Sequence, residues 1–233
     1  MEFDAVILSG GRSARLGGAP KPELLYNGAT LLEHSLRAVR GAAAVAVVGP
    51  DPGTLPDGVL TCREEPPYAG PAAAIAAGIS ALARSRLSPN LPAGPPYTLV
   101  LACDMPRAGA AVRSLLDAAV EAPGAGGFIA VSPDGRRQPL AGLYGTAGLQ
   151  RCVADAAGRG ALANASVFAL LASLEVREVR VPGGSTDDVD TWDDASALGV
   201  TRPPDRRAND QPPHDGSEEN GLENNSRSPG LPS

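Results

Sequence analysis

Aromatic side chains are scarce in this sequence, at 3% of its residues. A hydrophobic core must therefore be built from Val, Leu, Ile and Ala. With 233 residues the chain is long enough to bury such a core. Its length favours one domain of about 200 residues followed by a tail.

Cysteine is also rare, and its pattern excludes two classes of small domain. The three cysteines, Cys62, Cys103 and Cys152, are isolated from one another and odd in number. This argues against a disulfide framework and against a zinc ribbon. A reducing compartment is the simplest interpretation, so we expect a cytoplasmic protein. Neither of the two histidines, His34 and His214, lies in a motif, and no Ser-His-Asp arrangement is predicted.

The chain has no excess of basic residues and no long apolar run. Its formal net charge is −6, which argues against a basic surface for nucleic acid. No stretch of about 18 apolar residues is present, so no membrane span is predicted. Glu2 and Asp4 precede the first apolar run, where a signal peptide would carry basic residues. We therefore expect neither nucleic acid nor membrane as a partner.

What the sequence does contain is an unusual stretch near its N-terminus. Four apolar residues in a row, Ala5–Leu8, predict a buried strand, because such a run leaves no side chain for solvent. At Gly10 and Gly11 the chain can turn, and a ligand can approach the backbone closely. The stretch is not a P-loop, since no Gly-Lys-Ser/Thr follows, and it does not contain the G-x-G-x-x-G fingerprint.

Three cations follow these glycines: Arg12, Arg15 and Lys21. Fixed cations together with backbone N–H groups are what binding of a polyphosphate requires. Pro20 and Pro22 flank Lys21 and restrict the backbone on both sides, so Lys21 lies on a stiff segment. The stretch therefore predicts a polyphosphate site.

An aspartate follows the strongest predicted strand. Tyr97–Ala102 runs almost directly into Asp104. In an open α/β sheet, the carboxyl end of a central strand lies where ligands bind, and a carboxylate there suits a hard cation such as Mg²⁺. Asp is also a good N-cap for the helix predicted over 107–121, so this residue alone leaves both roles open.

Strands and helices alternate along the chain, which predicts an α/β fold with a mostly parallel, doubly wound sheet. From Arg202 onward apolar residues nearly vanish, so 201–233 is predicted to be a disordered tail. Helices are predicted from a Thr30 cap to Arg40, over 72–84, 107–121, 146–157 and 161–172, and from a Thr191 cap to Gly199. The predicted strands are Phe3–Leu8, Val45–Val48, Val59–Cys62, Tyr97–Ala102, Gly127–Ser132, Ala141–Tyr144 and Val176–Val181.

The pattern L-x-G-G-x-S-x-R-(L/M)-G-x-x-K, from Leu8 to Lys21, resembles the signature of small nucleotidyltransferases. It is most similar to that of the molybdenum cofactor guanylyltransferase family. Ser9 stands where Ala is usual, Leu16 where Met is usual, and one extra residue precedes the lysine. The resemblance implies a single-domain, Rossmann-like three-layer α/β sandwich with a small antiparallel element, formed by residues 1–200 as the nucleotidyltransferase domain.

The resemblance also implies roles for individual residues. Lys21, Arg15 and Asp104 would be catalytic. In the family, an acidic residue followed by Gly-Pro at a helix start belongs to the nucleotide site, and Glu64 or Glu65 takes that position here. The nucleotide-binding residues implied are Leu8, Ser9, Gly10, Gly11, Arg12, Ser13, Lys21, Glu64, Glu65, Gly70 and Asp104.

A second acidic segment, around residues 187–194, resembles the family's terminal Asn/Asp-x-Asn/Asp motif. The resemblance implies that Asp190 joins Asp104 on the metal, with Asp188 as the alternative ligand. Acidic residues at this place also stabilise the N-terminus of the helix that follows, so a purely structural role remains open.

The implied reaction is an Mg²⁺-dependent attack by the phosphate of molybdopterin on the α-phosphate of GTP, with release of pyrophosphate. A phosphate monoester has a second pKa of about 6, so near neutral pH it is mostly ionised and needs no general base. Positioning and charge neutralisation then carry catalysis. A Pro-Leu segment in the family lines the acceptor side, so Arg136, Arg137 and Gln138 are candidates to contact the acceptor. A solvated hairpin tip explains them equally well.

Alternatives remain within and beyond this family. Gly10-Gly11 favours GTP, whereas Asp190 in place of the usual Asn is a feature of the CTP-dependent molybdenum cofactor cytidylyltransferases. Another sugar- or alcohol-phosphate nucleotidyltransferase is a further alternative, and a nucleotide-binding regulator is the alternative that is not an enzyme. We expect a monomer or weak oligomer, with transient contacts to proteins of molybdoenzyme maturation.

Overall fold

The computed structural model describes residues 1–11, 13–51, 53, 55–86 and 94–204. Arg12 and nearly all of the predicted tail 201–233 lie outside the described residues. Met1–Pro203 form one compact unit. Its elements are β1 (Phe3–Leu8), β2 (Leu25–Tyr26), β3 (Ala29–Thr30), α1 (Leu31–Ala38), β4 (Val45–Val48), β5 (Val59–Cys62), α2 (Pro71–Ser85), β6 (Tyr97–Ala102), α3 (Ala108–Glu121), β7 (Gly127–Val131), β8 (Arg137–Gly145), α4 (Thr146–Gly158), α5 (Val167–Leu170), β9 (Arg177–Arg180), α6 (Trp192–Leu198) and β10 (Val200–Thr201), with 3₁₀ turns at Ala14–Leu16 and Lys21–Glu23.

The main sheet has seven strands in the order β5-β4-β1-β6-β8-β7-β9. Strand β8 pairs antiparallel with both neighbours, and the other described pairings in this sheet are parallel. A separate three-stranded antiparallel sheet has the order β10-β2-β3. The predicted mostly parallel α/β fold with a small antiparallel element is confirmed.

Apolar side chains cover both faces of the main sheet, because successive side chains of a strand point to opposite faces and helices cover both of them. In β1, Ala5 and Ile7 belong to a core cluster that includes residues of α1 and α3. Val6 and Leu8 belong to a second cluster, with residues of α2 and α4. The sheet is therefore the middle layer of a three-layer sandwich.

Two helices begin with the capping boxes that the sequence predicts. The Thr30 hydroxyl accepts from the Glu33 N–H, and the Glu33 carboxylate accepts from the Thr30 N–H. Thr191 and Asp194 form the same reciprocal pair at the start of α6, which ends at Gly199. Each box satisfies two backbone N–H groups that a helix start leaves without partners.

The helix predicted over 161–172 is wrong in length, because only α5, Val167–Leu170, forms there. Asn164 adopts a left-handed backbone conformation with φ of 58°, which a helix does not tolerate. Its N–H donates to the Ala69 carbonyl at 2.6 Å, so this turn is held against the loop before α2. Ser166 then caps the short helix.

The predicted exposed strand near residue 180 is β9, at the edge of the main sheet beside β7. Beyond it the chain returns to the centre of the sheet, where the Val189 N–H donates to the Asp104 carbonyl at 3.0 Å. A third core cluster includes Val189, Leu16 and Leu24. Among the helices of the described residues, none has the length and hydrophobicity to span a bilayer.

Close contact between α2 and the sheet generates a stability prediction. A Cβ at Gly78 would lie 2.5 Å from Val6 Cγ1, within the packed core. Gly78→Ala should therefore lower the free energy of unfolding by about 1–3 kcal/mol, because the helix must move away from the sheet. Urea denaturation followed by circular dichroism measures the change.

The matched control is Gly158→Ala, at the last residue of α4, where a Cβ would meet nothing within 4 Å. This variant should be neutral or up to about 1 kcal/mol more stable. Equal effects of the two substitutions would contradict the packing argument.

Candidate active site

Strands β1 and β6 lie side by side and parallel, so their carboxyl ends meet at one edge of the sheet. Leu8 pairs with Ala102, and the Cys103 N–H donates to the Leu8 carbonyl at 3.0 Å. A cavity of about 460 Å³ lies at this edge. Of the residues predicted for the site, it is lined by Leu8, Gly10, Gly11, Ser13, Arg15, Lys21, Glu64, Gly70, Asp104 and Asp190.

Three predicted nucleotide-binding residues are not among the described residues that line the cavity. Ser9 is buried, and its hydroxyl donates to the Val48 carbonyl at 3.1 Å, so its side chain serves the β1–β4 contact. Glu65 is exposed, whereas Glu64 is buried in the cavity wall. Arg12 lies outside the described residues.

Lys21 lies between two carboxylates that are distant in sequence. Its Nζ donates to Asp104 Oδ2 at 2.9 Å and to Asp190 Oδ1 at 2.6 Å. Burial works to lower the pKa of Lys21, but the charges and hydrogen bonds of the two aspartates outweigh it, and the pKa is raised above its ordinary value. The predicted cation and both predicted metal ligands thus meet at one point.

Asp188 lies with these two aspartates. Carboxylate oxygens of Asp104, Asp188 and Asp190 all lie within 4.8 Å of one another. Val189, between the two later aspartates, is fully buried, and residues two apart in an extended segment point to the same side. Burial, followed by the charges of Asp104 and Asp190, raises the pKa of Asp188.

This cluster fits a hard divalent cation. Carboxylate oxygens are the ligands that Mg²⁺ prefers, and Mg²⁺ sites in proteins use one or two carboxylates together with substrate phosphates and water. The position between Asp104 and Asp190 already holds a cation, because the ammonium group of Lys21 is hydrogen-bonded there. The residues can therefore hold such a metal.

The Glu64 carboxylate differs from the three aspartates, because it is buried and only one of its oxygens has a hydrogen-bond partner among the described residues. The residue is 7% exposed, and its Oε1 accepts from the Tyr68 N–H at 2.9 Å. Its Oε2 is buried and has no hydrogen-bond partner among the described residues. A buried charged oxygen without a partner is costly, so this atom is a clear acceptor for a ligand in the cavity.

The backbone of the loop between Glu64 and α2 holds the Glu64 carboxylate at the cavity. Tyr68 has φ of 64°, a strained value for a residue with a side chain, and this conformation directs its N–H to Glu64. The Arg63 guanidinium lies 5.0 Å from the centre of the Tyr68 ring. Gly70 has φ of 93° and precedes Pro71 at the first turn of α2, so a helix N-terminus also faces the cavity.

The remaining basic residues differ in their surroundings. The Arg15 side chain is 76% exposed, with its Nη1 4.0 Å from Asp190 Oδ2, so it reaches the cavity without being fixed there. Arg137, one of the candidates for the acceptor side, is instead ion-paired with Glu178 on β9. Arg136 is exposed, and its charge acts on Asp188.

Pro71 and Leu140 line the cavity and belong to the Gly-Pro and Pro-Leu segments that the sequence resemblance implies for the site. Sequence reasoning missed five other residues that line it: Ala14, Tyr68, Ala74, Ala102 and Cys103. Most of them are apolar residues without a recognisable pattern. Leu140 reaches the cavity in a region where the β7–β8 register shifts, which the sequence does not reveal. Tyr68 lies between Glu64 and the Gly-Pro pair, and this position in the sequence is a signal for its place in the site.

The model of the MobA-like NTP transferase domain family matches residues 5–179. This range contains Lys21, Glu64 and Asp104 and ends before Asp188 and Asp190. The comparison with curated protein sequences gives no match.

Solved structures give further similarity. Rv0371c from Mycobacterium tuberculosis H37Rv is 25% identical, with a TM-score of 0.59 over 84% of this chain and 96% of that chain. Molybdopterin-guanine dinucleotide biosynthesis protein A from Archaeoglobus fulgidus is 19% identical, with a TM-score of 0.59 over 85% and 96%. The 2-C-methyl-D-erythritol 4-phosphate cytidylyltransferase of Thermus thermophilus is 23% identical, with a TM-score of 0.58 over 85% and 97%. The last two similarities show a shared fold.

Cys103 lines the cavity, and its burial predicts a slow reaction of its thiol with alkylating reagents. Burial, together with the charge of Asp104, raises the pKa of Cys103. The thiolate is the reactive species, so at pH 8 native Cys103 should react with iodoacetamide at least about 100-fold more slowly than in unfolded protein. Cys62, which is only half-buried, should react first, as mass spectrometry of the labelled peptides would show. Labelling of Cys103 ahead of Cys62 would contradict the placement of β6.

Proposed function

Because the chain belongs to the family of MobA-like NTP transferase domains and is therefore a nucleotidyltransferase, we propose that it transfers GMP from GTP to the phosphate of molybdopterin, with release of pyrophosphate. One observation carries this proposal. A single cavity contains both the Lys21–Asp104–Asp190 cluster and the buried oxygen of Glu64 to which no described residue is hydrogen-bonded. These two features suit the two ends of a nucleoside triphosphate.

The distance between Glu64 and Asp104 along the sheet supports this assignment of the base and the phosphates to two ends of the cavity. Glu64 comes two residues after β5 and Asp104 two residues after β6. The order β5-β4-β1-β6 separates the ends of these strands by three strand spacings, about 14 Å at roughly 4.8 Å each. A nucleotide can bridge such a distance, with its base at Glu64 and its phosphates at the glycines after β1 and at Lys21.

The chemistry of Glu64 favours guanine. The N1–H and the 2-amino group of guanine are adjacent donors, and a carboxylate accepts such a pair in bidentate fashion. Cytosine offers one amino group beside two acceptors, which a carboxylate repels. In this proposal Glu64 Oε2 accepts from one guanine donor, and Oε1 accepts from the other while it keeps its hydrogen bond with the Tyr68 N–H. The N-terminus of α2 faces the same cavity.

Catalysis in this proposal rests on positioning and charge. Backbone groups at Gly10, Gly11 and Ser13 hold the triphosphate, and Lys21 and Arg15 neutralise the charge of the leaving pyrophosphate. Asp104 and Asp190, with Asp188 beside them, would hold Mg²⁺, which supplies charge neutralisation at the phosphate oxygens when bound. The acceptor phosphate is mostly ionised near neutral pH, so no side chain is needed as a base.

Asp190 is the observation that favours a second candidate, transfer of CMP from CTP to the same acceptor. The sequence resemblance associates Asp at this position with cytidylyltransferases, and a solved structure with the same fold is a cytidylyltransferase. Other phosphorylated alcohols or sugars are the alternative acceptors, and binding of a nucleotide without turnover is the regulator alternative.

A panel of nucleotides separates these candidates. With molybdopterin as acceptor and Mg²⁺ present, GTP should release pyrophosphate at least about 100-fold faster than CTP, because cytosine leaves the Glu64 carboxylate without its pair of donors. Removal of Mg²⁺ with EDTA should abolish the release. A preference for CTP would refute the guanine assignment, and activity only with another acceptor would refute molybdopterin.

A substitution at Glu64 tests base recognition directly. Glu64→Gln keeps an acceptor for Tyr68 but places an amide beside the donors of guanine, so kcat/KM for GTP should fall about 100-fold or more. The preference for GTP over ITP, which lacks the 2-amino group, should disappear. Steady-state kinetics of pyrophosphate release measure both effects.

Glu65→Gln is the matched control, since Glu65 is exposed and is not among the described residues that line the cavity. Its kinetics should stay within about twofold of the unmodified protein, as is usual for surface positions. An equal loss in the two variants would contradict the role given to Glu64.

A further inference from the structure

The ammonium group of Lys21 lies between two carboxylates of the candidate metal site, Asp104 and Asp190. It lies 2.9 Å from Asp104 Oδ2 and 2.6 Å from Asp190 Oδ1, and the side chain is only 17% exposed. The Asp104 side chain is 20% exposed and that of Asp190 49%, so the Lys21–Asp104 ion pair is partly dehydrated and the Lys21–Asp190 pair is open to solvent. The lysine therefore offsets part of the negative charge of the aspartate cluster.

Lys21 and a divalent cation cannot share this position. Mg²⁺ binds carboxylate oxygens at about 2.0–2.1 Å, so an ion between Asp104 Oδ2 and Asp190 Oδ1 would lie where the Lys21 ammonium group lies. The positive charges would also repel each other strongly at such a distance. Binding of the metal at this position therefore requires Lys21 to leave.

We propose that Lys21 is a built-in counter-ion that keeps the metal site closed until a nucleotide enters the cavity. The triphosphate draws the ammonium away from Asp104 and Asp190, and the metal then binds between these carboxylates and the phosphates. This inference rests on the proposed function for the identity of the nucleotide. It goes beyond that function by giving an order: the metal enters with the nucleotide, and the protein alone binds it weakly.

The transfer of Lys21 is a balanced exchange of partners. The lysine moves from two carboxylates to phosphate oxygens, so its charge stays compensated, and the metal replaces it at the carboxylates. Gly10, Gly11 and Arg15 line the same cavity, so the phosphates can bind within reach of the lysine side chain. The backbone of Lys21 stays in its 3₁₀ turn between prolines, and rotation of the side chain suffices.

Removal of this counter-ion should open the site. In Lys21→Met the side chain keeps its length but loses its charge, and the three aspartates are left to repel one another. Without nucleotide, Lys21→Met should bind Mn²⁺ at least about tenfold more tightly than the unmodified protein, as measured from the electron paramagnetic resonance signal of free Mn²⁺. Mn²⁺ is used because it prefers the same oxygen ligands as Mg²⁺.

Arg15→Met provides the matched control for charge. It also removes one cation beside Asp190, but Arg15 is 76% exposed and 4.0 Å from that carboxylate. Its Mn²⁺ affinity should stay within about threefold of the unmodified protein, because exposed charges are screened by solvent. In the double variant Lys21→Met/Asp104→Asn, the gain in Mn²⁺ affinity should be lost. This loss would locate the bound ion at the aspartate cluster.

Measurement of the unfolding temperature shows whether the Lys21 variants are folded and whether Mn²⁺ binds their folded state. Lys21→Met and a second variant, Lys21→Gln, should both unfold at lower temperature than the unmodified protein without metal. Mn²⁺ should raise the unfolding temperature of these variants more than that of the unmodified protein, because an ion that binds only the folded state stabilises it. Either variant can be used in the affinity measurement.

The proposal is overturned if the Lys21 variants bind Mn²⁺ within threefold of the unmodified protein, or if Arg15→Met gains as much as they do. Neither result depends on GTP or molybdopterin, because no nucleotide is present. Failure of the nucleotide panel would refute the proposed function while leaving this measurement unaffected, so the two failures are distinguishable.

Discussion

The site depends on one interaction, the contact of Lys21 with Asp104 and Asp190. The three residues come from the first loop, the end of the central strand β6 and the segment that returns from the sheet edge. Only a parallel β1–β6 pair places the first two at the same edge. The third arrives because Val189 is buried with Leu16 and Leu24, which holds the returning segment against the first loop. The fold thus brings Lys21 to carboxylates that are 83 and 169 positions away in the sequence.

Much of this arrangement could be predicted, because its causes are local. The apolar runs at β1 and β6 and the Thr-x-x-acid caps each determine structure within a few residues, and all were located correctly. The features that could not be predicted depend on tertiary contacts. The helix at α5 is short because Asn164 is held by Ala69, and Ser9 turns towards Val48 because β4 lies beside it.

The choice between Glu64 and Glu65 shows the same limit. Spacing alone cannot tell which neighbour faces the cavity, and the answer comes from a hydrogen bond to Tyr68 in a strained conformation. This loop also contains a buried carboxylate oxygen that has no partner among the described residues. Strain and an unsatisfied charge in one short loop both oppose stability, and such conflicts are expected where a ligand supplies the missing contact.

The central claim is that one cavity holds a nucleotide with its base at Glu64 and a metal at the aspartate cluster. The most direct test is a crystal structure with Mn²⁺ and a GTP analogue whose α–β bridge is methylene, using the anomalous signal of manganese. We predict an anomalous peak between Asp104 and Asp190, Lys21 on a phosphate, and guanine hydrogen-bonded to Glu64. A nucleotide bound with manganese elsewhere, or with Lys21 still between the two aspartates, would contradict the account.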